Sequence, residues 1–234
     1  MKNLAIIPAR SGSKGLKDKN IKDFLGKPLL AYAILGAKES GMFDCVHVST
    51  DSEKYAEIAR EWGADVPFLR TPELASDTAS GRDACLYVIS EYEKRGLSFD
   101  TVTTLQPTSP LRRAEDIKGA FDVFKEKEAN AVVSVCEPDH SPLWTNVIGE
   151  DLDMTGFLNR KAINTPRQKL DKYYRLNGAV YIAKMDYYKA EADLYKEKCF
   201  AYIMPKERSV DIDDAFDFFI AESIMKGMAK GLIG

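Results

Sequence analysis

Short apolar runs alternate with longer helical patterns along most of this chain of 234 residues. Strands that alternate with helices in this way are typical of a mostly parallel β-sheet with helices packed on both of its faces. We therefore predict an α/β protein with three layers, helix, sheet and helix. The expected strands cover 4–9, 46–50, 67–69, 101–105 and 131–136, and the expected helices cover 28–38, 51–62, 80–94 and 114–127.

The alternation is interrupted between residues 141 and 174, where the chain is polar and mixed and carries turn signals at Gly149 and Gly156. A stretch of this length is too long to be an ordinary connection. We expect it to be a β-rich element that covers a site or pairs with another subunit. It would be an insertion within a single domain that spans residues 1–234.

The C-terminal part of the chain returns to regular patterns. Strand character is present at 180–183 and 202–204, and a closing amphipathic helix is expected at 213–230. On this helix, five apolar residues would share one side: Phe216, Phe219, Ile220, Ile224 and Met228.

The composition argues against several classes of site. The four cysteines are far apart and form no C-x-x-C pair, so we expect reduced thiols rather than disulfides or a zinc site. The two histidines, His47 and His140, are too few for a histidine-rich metal site or a histidine-based triad. The net charge of −3 argues against general nucleic-acid binding, and no apolar run is long enough for a bilayer. With no signal peptide evident, we expect a cytoplasmic protein.

The first strand runs directly into a loop, residues 10–20, that combines glycine and serine with positive charge. Such a loop presents backbone N–H groups and cations to phosphates in α/β proteins. It contains neither G-x-x-x-x-G-K-[ST] nor G-x-G-x-x-G, so an anion site here belongs to another class. Residues 1–27 hold seven lysines and arginines against two aspartates, while four aspartates cluster at 211–217. These clusters suit a phosphate–metal ligand, although two solvated faces are the simpler explanation of charge counts alone.

Four segments follow strand ends in the predicted sheet: 10–20, 50–51, 106–113 and the loop before Ser80. Ligands of open α/β sheets bind beyond the carboxyl ends of the strands. We therefore expect the four segments to converge on one crevice.

Five sequence blocks occur in order along most of the chain. They are IPARSGSKG at 7–15, RTPELASDTAS at 70–80, LQPTSPLR at 105–112, RLNGAVY at 175–181 and DID at 211–213. In this order the blocks resemble the acylneuraminate cytidylyltransferase family, whose members make CMP-activated nonulosonic acids such as CMP-sialic acid. The resemblance implies a Rossmann-like fold, a homodimer and Mg²⁺-dependent transfer of CMP from CTP to the anomeric hydroxyl of a nonulosonic acid, with release of pyrophosphate.

The resemblance also implies the residues of a nucleotide site. Arg10, Lys14 and Lys19 resemble the family's triphosphate-binding residues and would act as catalytic cations. Arg70 taken alone would be interpreted as part of a surface ion pair. The other residues expected around the nucleotide are Ser11, Asn20, Arg70, Ala79 and Ser80.

A second set of residues would bind the metal and the sugar acid. Asp211 and Asp213 would point to the same face of an extended segment, and the resemblance implies that they bind Mg²⁺ and serve catalysis. Capping of the following helix is the competing explanation, and it fits Asp213 or Asp214. Arginine binds carboxylates through a bidentate fork, and the resemblance implies this role for Arg167. The other candidate sugar-binding residues are Gln106, Thr108, Ser109, Arg175, Asn177 and Tyr181.

The identity of the sugar stays open at this point. Trp144 stands where some sialic-acid enzymes have a lysine, and a core or interface aromatic explains it as well as a sugar contact does. Pseudaminic, legionaminic and eight-carbon keto-deoxy acids are alternatives. From a different class, a non-catalytic nucleotide-binding protein would keep the basic loop but would not need Asp211 and Asp213.

Overall fold

The structure is a computed structural model that describes residues 1–12, 15–76, 78–161 and 163–233, without the side chain of Arg167. In these ranges the chain forms eight strands and six α-helices. The strands are β1 (Asn3–Pro8), β2 (Asp23–Phe24), β3 (Lys27–Pro28), β4 (Cys45–Ser49), β5 (Thr101–Thr104), β6 (Ala131–Cys136), β7 (Arg175–Lys184) and β8 (Cys199–Ile203). The helices are α1 (Leu29–Ser40), α2 (Glu53–Glu61), α3 (Gly81–Lys94), α4 (Ala114–Glu126), α5 (Met185–Ala190) and α6 (Ala215–Ala229).

Six of the strands form the central sheet, in the order β4-β1-β5-β7-β6-β8. Paired strands in this sheet are parallel except at β7, which runs antiparallel to both β5 and β6. Strands β2 and β3 form a separate antiparallel pair. The mostly parallel sheet predicted from the sequence is therefore confirmed.

The two faces of the sheet carry separate hydrophobic cores, because successive side chains of a strand point to opposite faces. Along β1, Ala5 and Ile7 pack with α1, α2 and α4, whereas Leu4 and Ile6 pack with α3 and α5. Helix α6 contributes Phe218 to a third, smaller core. The three predicted layers are thus confirmed. Among the described residues, no helix combines the length and the apolar character that crossing a membrane requires.

The predicted elements before residue 137 agree with the structure to within two residues, apart from the short strand at 67–69. That prediction is wrong. Residues 67 and 68 form a bend, residue 69 is irregular, and the nearest sheet pairing is an isolated bridge between Asp65 and His47. Pro67 has no N–H to donate, so the chain leaves the edge of the sheet at this point.

Helix α6 packs on a different side from the one predicted. Phe216 and Phe219 are 71% and 67% exposed, whereas Phe218 and Ala221 are buried. Phe218 makes an edge-to-face contact with Phe24, with ring centroids 5.2 Å apart. Because apolar residues occur all around this helix, its periodicity does not determine which side faces the core.

The interrupted segment, 141–174, is irregular, so the expectation of a β-rich element is wrong. Its described residues form turns and two one-turn helices, Pro142–Trp144 and Arg167–Lys169, and none of them lies in a strand. The carboxylates of Asp151 and Asp153 accept backbone N–H bonds from residues two positions later. Such local bonds compete with pairing between strands. The segment also exposes six large apolar side chains: Val147, Ile148, Leu152, Met154, Leu158 and Ile163.

Candidate active site

A cleft of about 570 Å³ opens beyond the carboxyl ends of β1 and β5, beside the N-terminus of α3. Its walls come from residues 10–20, from the loop before Ser80 and from the segment 106–113. Three of the four segments that were expected to converge therefore line one crevice. The fourth segment, 50–51, does not line the cleft but contacts residues 10–20 outside it.

The basic loop, defined as residues 10–20, is tied to the end of β4 by Asp51. The Asp51 carboxylate accepts hydrogen bonds from the Ser11 N–H (2.7 Å) and from the Ser11 hydroxyl (2.5 Å). Burial alone would raise the pKa of Asp51, but these bonds hold it below its usual value. Ser11 thus orients the loop and does not line the cleft. The sequence signal for Asp51 is its position directly after a strand.

Arg10 and Lys19 bring positive charge to the cleft. The Arg10 guanidinium donates to the carbonyl of Ala75 (3.3 Å). The Lys19 ammonium donates to the carbonyl of Ile212 (2.5 Å) and lies 3.6 Å from a carboxylate oxygen of Asp213. Two of the three predicted cations therefore share the cleft. The third, Lys14, lies outside the described residues.

The basic loop also touches the acidic segment, defined as residues 209–214, through Gly15. A Cβ atom on Gly15 would lie 2.5 Å from the carbonyl oxygen of Asp213, closer than a side chain tolerates. Glycine is therefore required for the two segments to approach this closely. The sequence alone carries no signal for this contact, because residues 15 and 213 come together through the fold.

The wall opposite the acidic segment contains Asn20 and Arg70, both of them buried. The Asn20 amide donates to the carbonyl of Arg10 (3.1 Å). The Arg70 guanidinium donates to the carbonyls of Ser49 (3.0 Å) and Leu74 (3.4 Å). Arg70 is thus neither a surface ion pair nor a free cation, because it uses its donors to build the wall.

The start of α3 faces the same cleft. Ala79, Ser80 and Gly81 line it, and the Ser80 hydroxyl oxygen accepts the N–H of Arg82 (3.1 Å) as the cap of the helix. A helix N-terminus carries partial positive charge and unpaired N–H groups, which suit an anionic or polar ligand. The predicted nucleotide residues Ala79 and Ser80 therefore lie where a ligand in the cleft would meet them.

The segment after β5 forms another part of the wall. Gln106 and Thr108 line the cleft, and the Thr108 hydroxyl donates to Gln106 Oε1 (3.3 Å). Ser109 is buried behind them, and its hydroxyl has no hydrogen-bond partner among the described residues. Two of the three predicted sugar-binding residues here are thus on the surface of the cleft.

A second cavity, of about 680 Å³, meets the cleft at Asp213, which lines both. Arg175 and Asp211 line this cavity, and α6 contributes Ile220 and Ile224. The Arg175 guanidinium donates to the carbonyl of Ser209 (3.2 Å), which directs the side chain toward the acidic segment. A cation and two carboxylates are therefore presented beside an apolar wall.

Asn177 and Tyr181 occupy β7 but do not line either cavity. Asn177 is buried, and its amide joins the hydroxyls of Ser134 (2.6 Å) and Ser209 (2.9 Å). Tyr181 is half-buried; burial and the nearby Tyr195 and Asp211 raise the pKa of its phenol. The structure therefore places both residues behind the site, where they support its walls.

Asp211 and Asp213 form the acidic pair of the site. Asp211 is half-buried, and its Oδ1 atom is inaccessible and has no hydrogen-bond partner among the described residues. Burial raises the pKa of Asp211 and the charge of Asp213 adds to the rise, while a side-chain hydrogen bond with Thr108 and the charges of Lys19 and Arg175 oppose it. Asp213 does not cap α6, because Asp214 occupies that position and accepts the N–H groups of Phe216 and Asp217. The capping explanation therefore fails for Asp213.

The acidic pair suits magnesium better than a metal that requires a full set of protein ligands. No cluster of three or more His, Cys, Asp or Glu residues in the described ranges could hold a metal ion. Mg²⁺ is commonly bound by one or two carboxylates together with substrate phosphates and water. A buried carboxylate oxygen without a partner, next to a like charge, fits such a cation.

Two residues considered as sugar contacts lie in the segment 141–174: Arg167, which is a predicted contact, and Trp144, whose role the sequence leaves open. Arg167 belongs to the one-turn helix Arg167–Lys169, and its side chain lies outside the described part of the structure. Trp144 is half-buried in the other one-turn helix, with its ring centroid 6.4 Å from that of His140, and it lines neither cavity.

Comparison with known proteins identifies relatives that differ in the sugar named. N-acylneuraminate cytidylyltransferase of Streptococcus agalactiae serotype V is 40% identical over 223 residues, covering 93% of this chain and 52% of that protein. The chain thus spans about half the length of this relative. CMP-N,N'-diacetyllegionaminic acid synthase of Legionella pneumophila is 34% identical, and the match covers 100% of both chains. Pseudaminic acid cytidylyltransferase of Campylobacter jejuni is 33% identical, with 97% of each chain covered.

Solved structures share the fold at low sequence identity. CMP:2-keto-3-deoxy-manno-octonic acid synthetase, complexed with CTP, has a TM-score of 0.70 at 17% identity, covering 97% of this chain and 100% of that one. A 4-diphosphocytidyl-2C-methyl-D-erythritol synthase from Anaerococcus prevotii has a TM-score of 0.65 at 13% identity, covering 96% and 98%. The predicted Rossmann-like α/β fold is confirmed by these neighbours. Residues 4–219 match the family described as Cytidylyltransferase. With this match and relatives above 30% identity over their whole length, the chain belongs to the cytidylyltransferase family.

Proposed function

We propose that this protein transfers CMP from CTP to the anomeric hydroxyl of a nonulosonic acid, with Mg²⁺ as cofactor and pyrophosphate as the second product. The observation that carries the proposal is the meeting of the basic loop and the acidic segment at one cleft, with Lys19 3.6 Å from Asp213. Cations and carboxylates arranged this way suit a triphosphate and a divalent cation. The relatives named for sialic, legionaminic and pseudaminic acids support the substrate class.

Arg10 and Lys19, together with Lys14, bind the triphosphate in this proposal. As the bond from the α-phosphorus to the bridging oxygen breaks, negative charge develops on the departing pyrophosphate, and guanidinium and ammonium groups stabilise it. Lys19 is already held by the Ile212 carbonyl (2.5 Å), so little reorganisation is needed when a phosphate enters. The sugar hydroxyl attacks directly, and no covalent bond to the protein forms.

The cytosine and ribose lie along the wall formed by Asn20, Ala79 and Ser80. Asn20 is fixed by its bond to the Arg10 carbonyl, and Arg70 fixes the backbone behind it. The fixed polar edge and the N-terminus of α3 offer donors and acceptors to a pyrimidine and its ribose. This wall determines the nucleotide, whereas the sugar is bound elsewhere.

Asp211 and Asp213 would hold Mg²⁺. When bound, the cation neutralises phosphate charge and lowers the barrier to attack at phosphorus. The partnerless Oδ1 atom of Asp211 and the position of Asp213 between the two cavities support this assignment.

The nonulosonic acid would occupy the junction of the cleft and the second cavity. Gln106 and Thr108 form one side, and Arg175 can bind the carboxylate of the sugar acid as a bidentate partner, with Arg167 as a further candidate. Gly178 lets β7 approach this junction, because its φ of +73° and its distances to Asp211 and Gln106 leave little room for a side chain. Positioning of the attacking hydroxyl is the main contribution of this region.

We also propose that the segment 141–174 mediates a homodimer. The six apolar side chains that it exposes would be buried against a second copy, since large exposed apolar surface marks interaction sites. Sedimentation velocity at micromolar concentration should give a dimer. A monomer under these conditions would contradict the assignment.

Pyrophosphate release measured with CTP, Mg²⁺ and a panel of sugar acids tests the activity. The panel contains N-acetylneuraminic, legionaminic, pseudaminic and eight-carbon keto-deoxy acids, with each sugar omitted in turn. We expect release that depends on a nonulosonic acid and that is lost when EDTA is added. CTP binding without release for any member of the panel would favour the non-catalytic alternative.

A further inference from the structure

Two buried polar contacts hold the acidic segment. The first, between Asp116 and Arg208, involves none of the expected catalytic or binding residues, and the second uses the amide of Asn177, one of the candidate sugar-binding residues. We infer that the Asp116–Arg208 ion pair positions Asp211 and Asp213, with the Asn177–Ser209 hydrogen bond as a second anchor. Asp116 and Arg208 are positioning residues in this assignment, because they act through the backbone of the acidic segment. The inference rests on the proposed function for the role of the aspartates.

The ion pair is bidentate and shielded from solvent. Arg208 Nε donates to Asp116 Oδ2 (3.0 Å), and Arg208 Nη2 donates to Asp116 Oδ1 (2.7 Å). The Asp116 side chain is fully buried, and that of Arg208 is 14% exposed. A planar guanidinium bound in this way fixes direction as well as distance. Arg208 directly precedes the acidic segment. Fixing its side chain therefore also restrains the backbone that carries Asp211 and Asp213.

Asp116 also holds the other wall of the site. Its Oδ2 atom accepts the backbone N–H of Arg113 (2.9 Å), at the start of α4 and the end of the segment 106–113. Gln106 and Thr108 in this segment line the cleft. One buried carboxylate therefore connects the wall that contains Gln106 and Thr108 to the segment that contains the acidic pair.

Further hydrogen bonds connect these two walls directly and anchor the acidic segment. The Ile212 N–H donates to the carbonyl of Thr108 (2.9 Å), halfway between the two aspartates in sequence. Ser209 donates through its hydroxyl to the carbonyl of Pro205 (2.8 Å) and accepts from the Asn177 amide (2.9 Å). The acidic segment is thus fixed at its N-terminal end and in its middle.

Such positioning is needed because the acidic pair does not hold itself in place. Asp211 Oδ1 lacks a partner in the described structure, and the Asp213 side chain is 84% exposed. Because two like charges repel each other, the backbone that carries them must be restrained if both carboxylates are to face one cation. Groups that orient metal ligands from behind commonly change metal affinity or activity by about 10- to 100-fold when they are mutated.

The first arm of the test is hydrogen–deuterium exchange of the full chain. Arg208→Lys keeps the charge but cannot reproduce the planar two-bond contact, and Asp116→Asn keeps the size but removes the charge. We expect backbone amides of the acidic segment, including that of Ile212, to exchange about tenfold faster in both variants. Exchange in α3 should be unchanged, which shows that the variants remain folded.

Arg60→Lys is the matched control, because Arg60 also makes an ion pair, with Glu53 (2.6 Å), and donates to the carbonyl of Val66 (2.9 Å). This arginine lies in α2, away from the acidic segment. The control should leave exchange in residues 209–214 unchanged. Equal acceleration in the control would mean that the effect is general, and it would overturn the inference.

The second arm measures the Mg²⁺ concentration that gives half-maximal pyrophosphate release. We expect it to rise about tenfold in Arg208→Lys, with a smaller change in KM for CTP and none in Arg60→Lys. Unchanged exchange, or faster exchange with unchanged Mg²⁺ dependence, would overturn the inference. If the wild-type protein releases no pyrophosphate, the proposed function fails, and the exchange arm still decides whether the ion pair orders the acidic segment.

Discussion

Two groups of polar side chains are treated in different ways by this fold. The Tyr92 cluster, defined as Cys45, His47, Asp65 and Tyr92, is closed around the Tyr92 hydroxyl. That hydroxyl donates to Asp65 (2.6 Å) and contacts His47 Nδ1 (3.1 Å) and Cys45 Sγ (3.3 Å). Among the side-chain atoms of this cluster, only His47 Nε2 is buried without a hydrogen-bond partner in the described part of the chain, whereas in the acidic segment the atom buried without a partner is a carboxylate oxygen, Asp211 Oδ1.

In the proposed function, the difference separates polar groups that stabilise the fold from polar groups that bind a ligand. A hydrogen-bonded cluster lowers the free energy of the folded state, whereas burial of a carboxylate oxygen without a partner raises it, and a cation bound there would offset that cost. Helix α3 runs from the cleft to the Tyr92 cluster. Ser80 at its start lines the cleft, and Tyr92 lies 12 residues further along the helix, which rises about 1.5 Å per residue. We therefore expect substitutions in the two regions to have opposite effects on activity and stability.

Asp211→Asn gives the largest expected effect. Loss of the carboxylate charge should lower kcat at least about 100-fold, equivalent to about 3 kcal/mol in the barrier, because the cation site is lost. In the absence of divalent cations the free energy of unfolding should not decrease, since burial disfavours the charge that the substitution removes. Steady-state kinetics and urea denaturation measure the two quantities.

Asp122→Asn, at an exposed carboxylate on α4, serves as the control and should change neither quantity. A variant Asp211→Asn that keeps wild-type kcat would remove the distinction between the two regions. A variant that loses stability together with activity would show that Asp211 serves the fold as well.

The acid sensitivity of the fold should come from the Tyr92 cluster. Burial lowers the pKa of His47 to about 4, with Arg70 also lowering it and Asp65 opposing. Because the unfolded chain binds a proton near pH 6.5 and the folded protein does not, stability falls as pH drops from about 6.5 to 4, by about 3 kcal/mol. His47→Gln should flatten this part of the curve of unfolding free energy against pH.

The exposed His140 gives the comparison, because His140→Gln should leave the pH dependence of stability as it is in the wild type. If both variants retain the full loss of stability between pH 6.5 and 4, the loss arises from other groups. In that case the Tyr92 cluster would not be the acid-sensitive part of the fold.

Tyr92→Phe tests the cluster without changing a charge. The substitution leaves Asp65 and His47 without the hydroxyl that joins them, so we expect the free energy of unfolding to fall by about 2 kcal/mol. At temperatures where the variant is folded, kcat should stay within about twofold of the wild type. A loss of kcat comparable to that of Asp211→Asn would show that the cluster is coupled to the reaction.

The sequence was sufficient for the parts of the fold that depend on local periodicity. Strand β6 was predicted at its observed bounds, and β1 and α3 within one residue, because apolar alternation and helix capping are local signals. The residues 67–69 and the exposed side of α6 were predicted wrongly. Both depend on which neighbours the chain meets, and periodicity does not contain that information.

The same limit applies to the site. The positions of Arg10 and Lys19 at the cleft follow from their place after a strand end, and the sequence predicted them. Asn177 matches a sequence block, yet its amide is used between Ser134 and Ser209, which only the fold reveals. The Asp116–Arg208 pair spans 92 positions and has no sequence signature.

Gly15→Ala tests, with a smaller effect, whether the approach of the basic loop to the acidic segment is functional. The new methyl group would meet the Asp213 carbonyl at 2.5 Å, so the loop must move away. We expect kcat/KM for CTP to fall about tenfold, about 1.4 kcal/mol, with little change in the melting temperature, because the contact lies at the edge of the core. Gly36→Ala, whose Cβ would meet nothing closer than 3.8 Å, is the control and should leave kcat/KM unchanged. Equal kinetics for Gly15→Ala and Gly36→Ala would mean that the contact between the basic loop and the acidic segment is not needed for activity. The Asp211 Oδ1 atom without a hydrogen-bond partner would then be the one feature that distinguishes this region from the Tyr92 cluster.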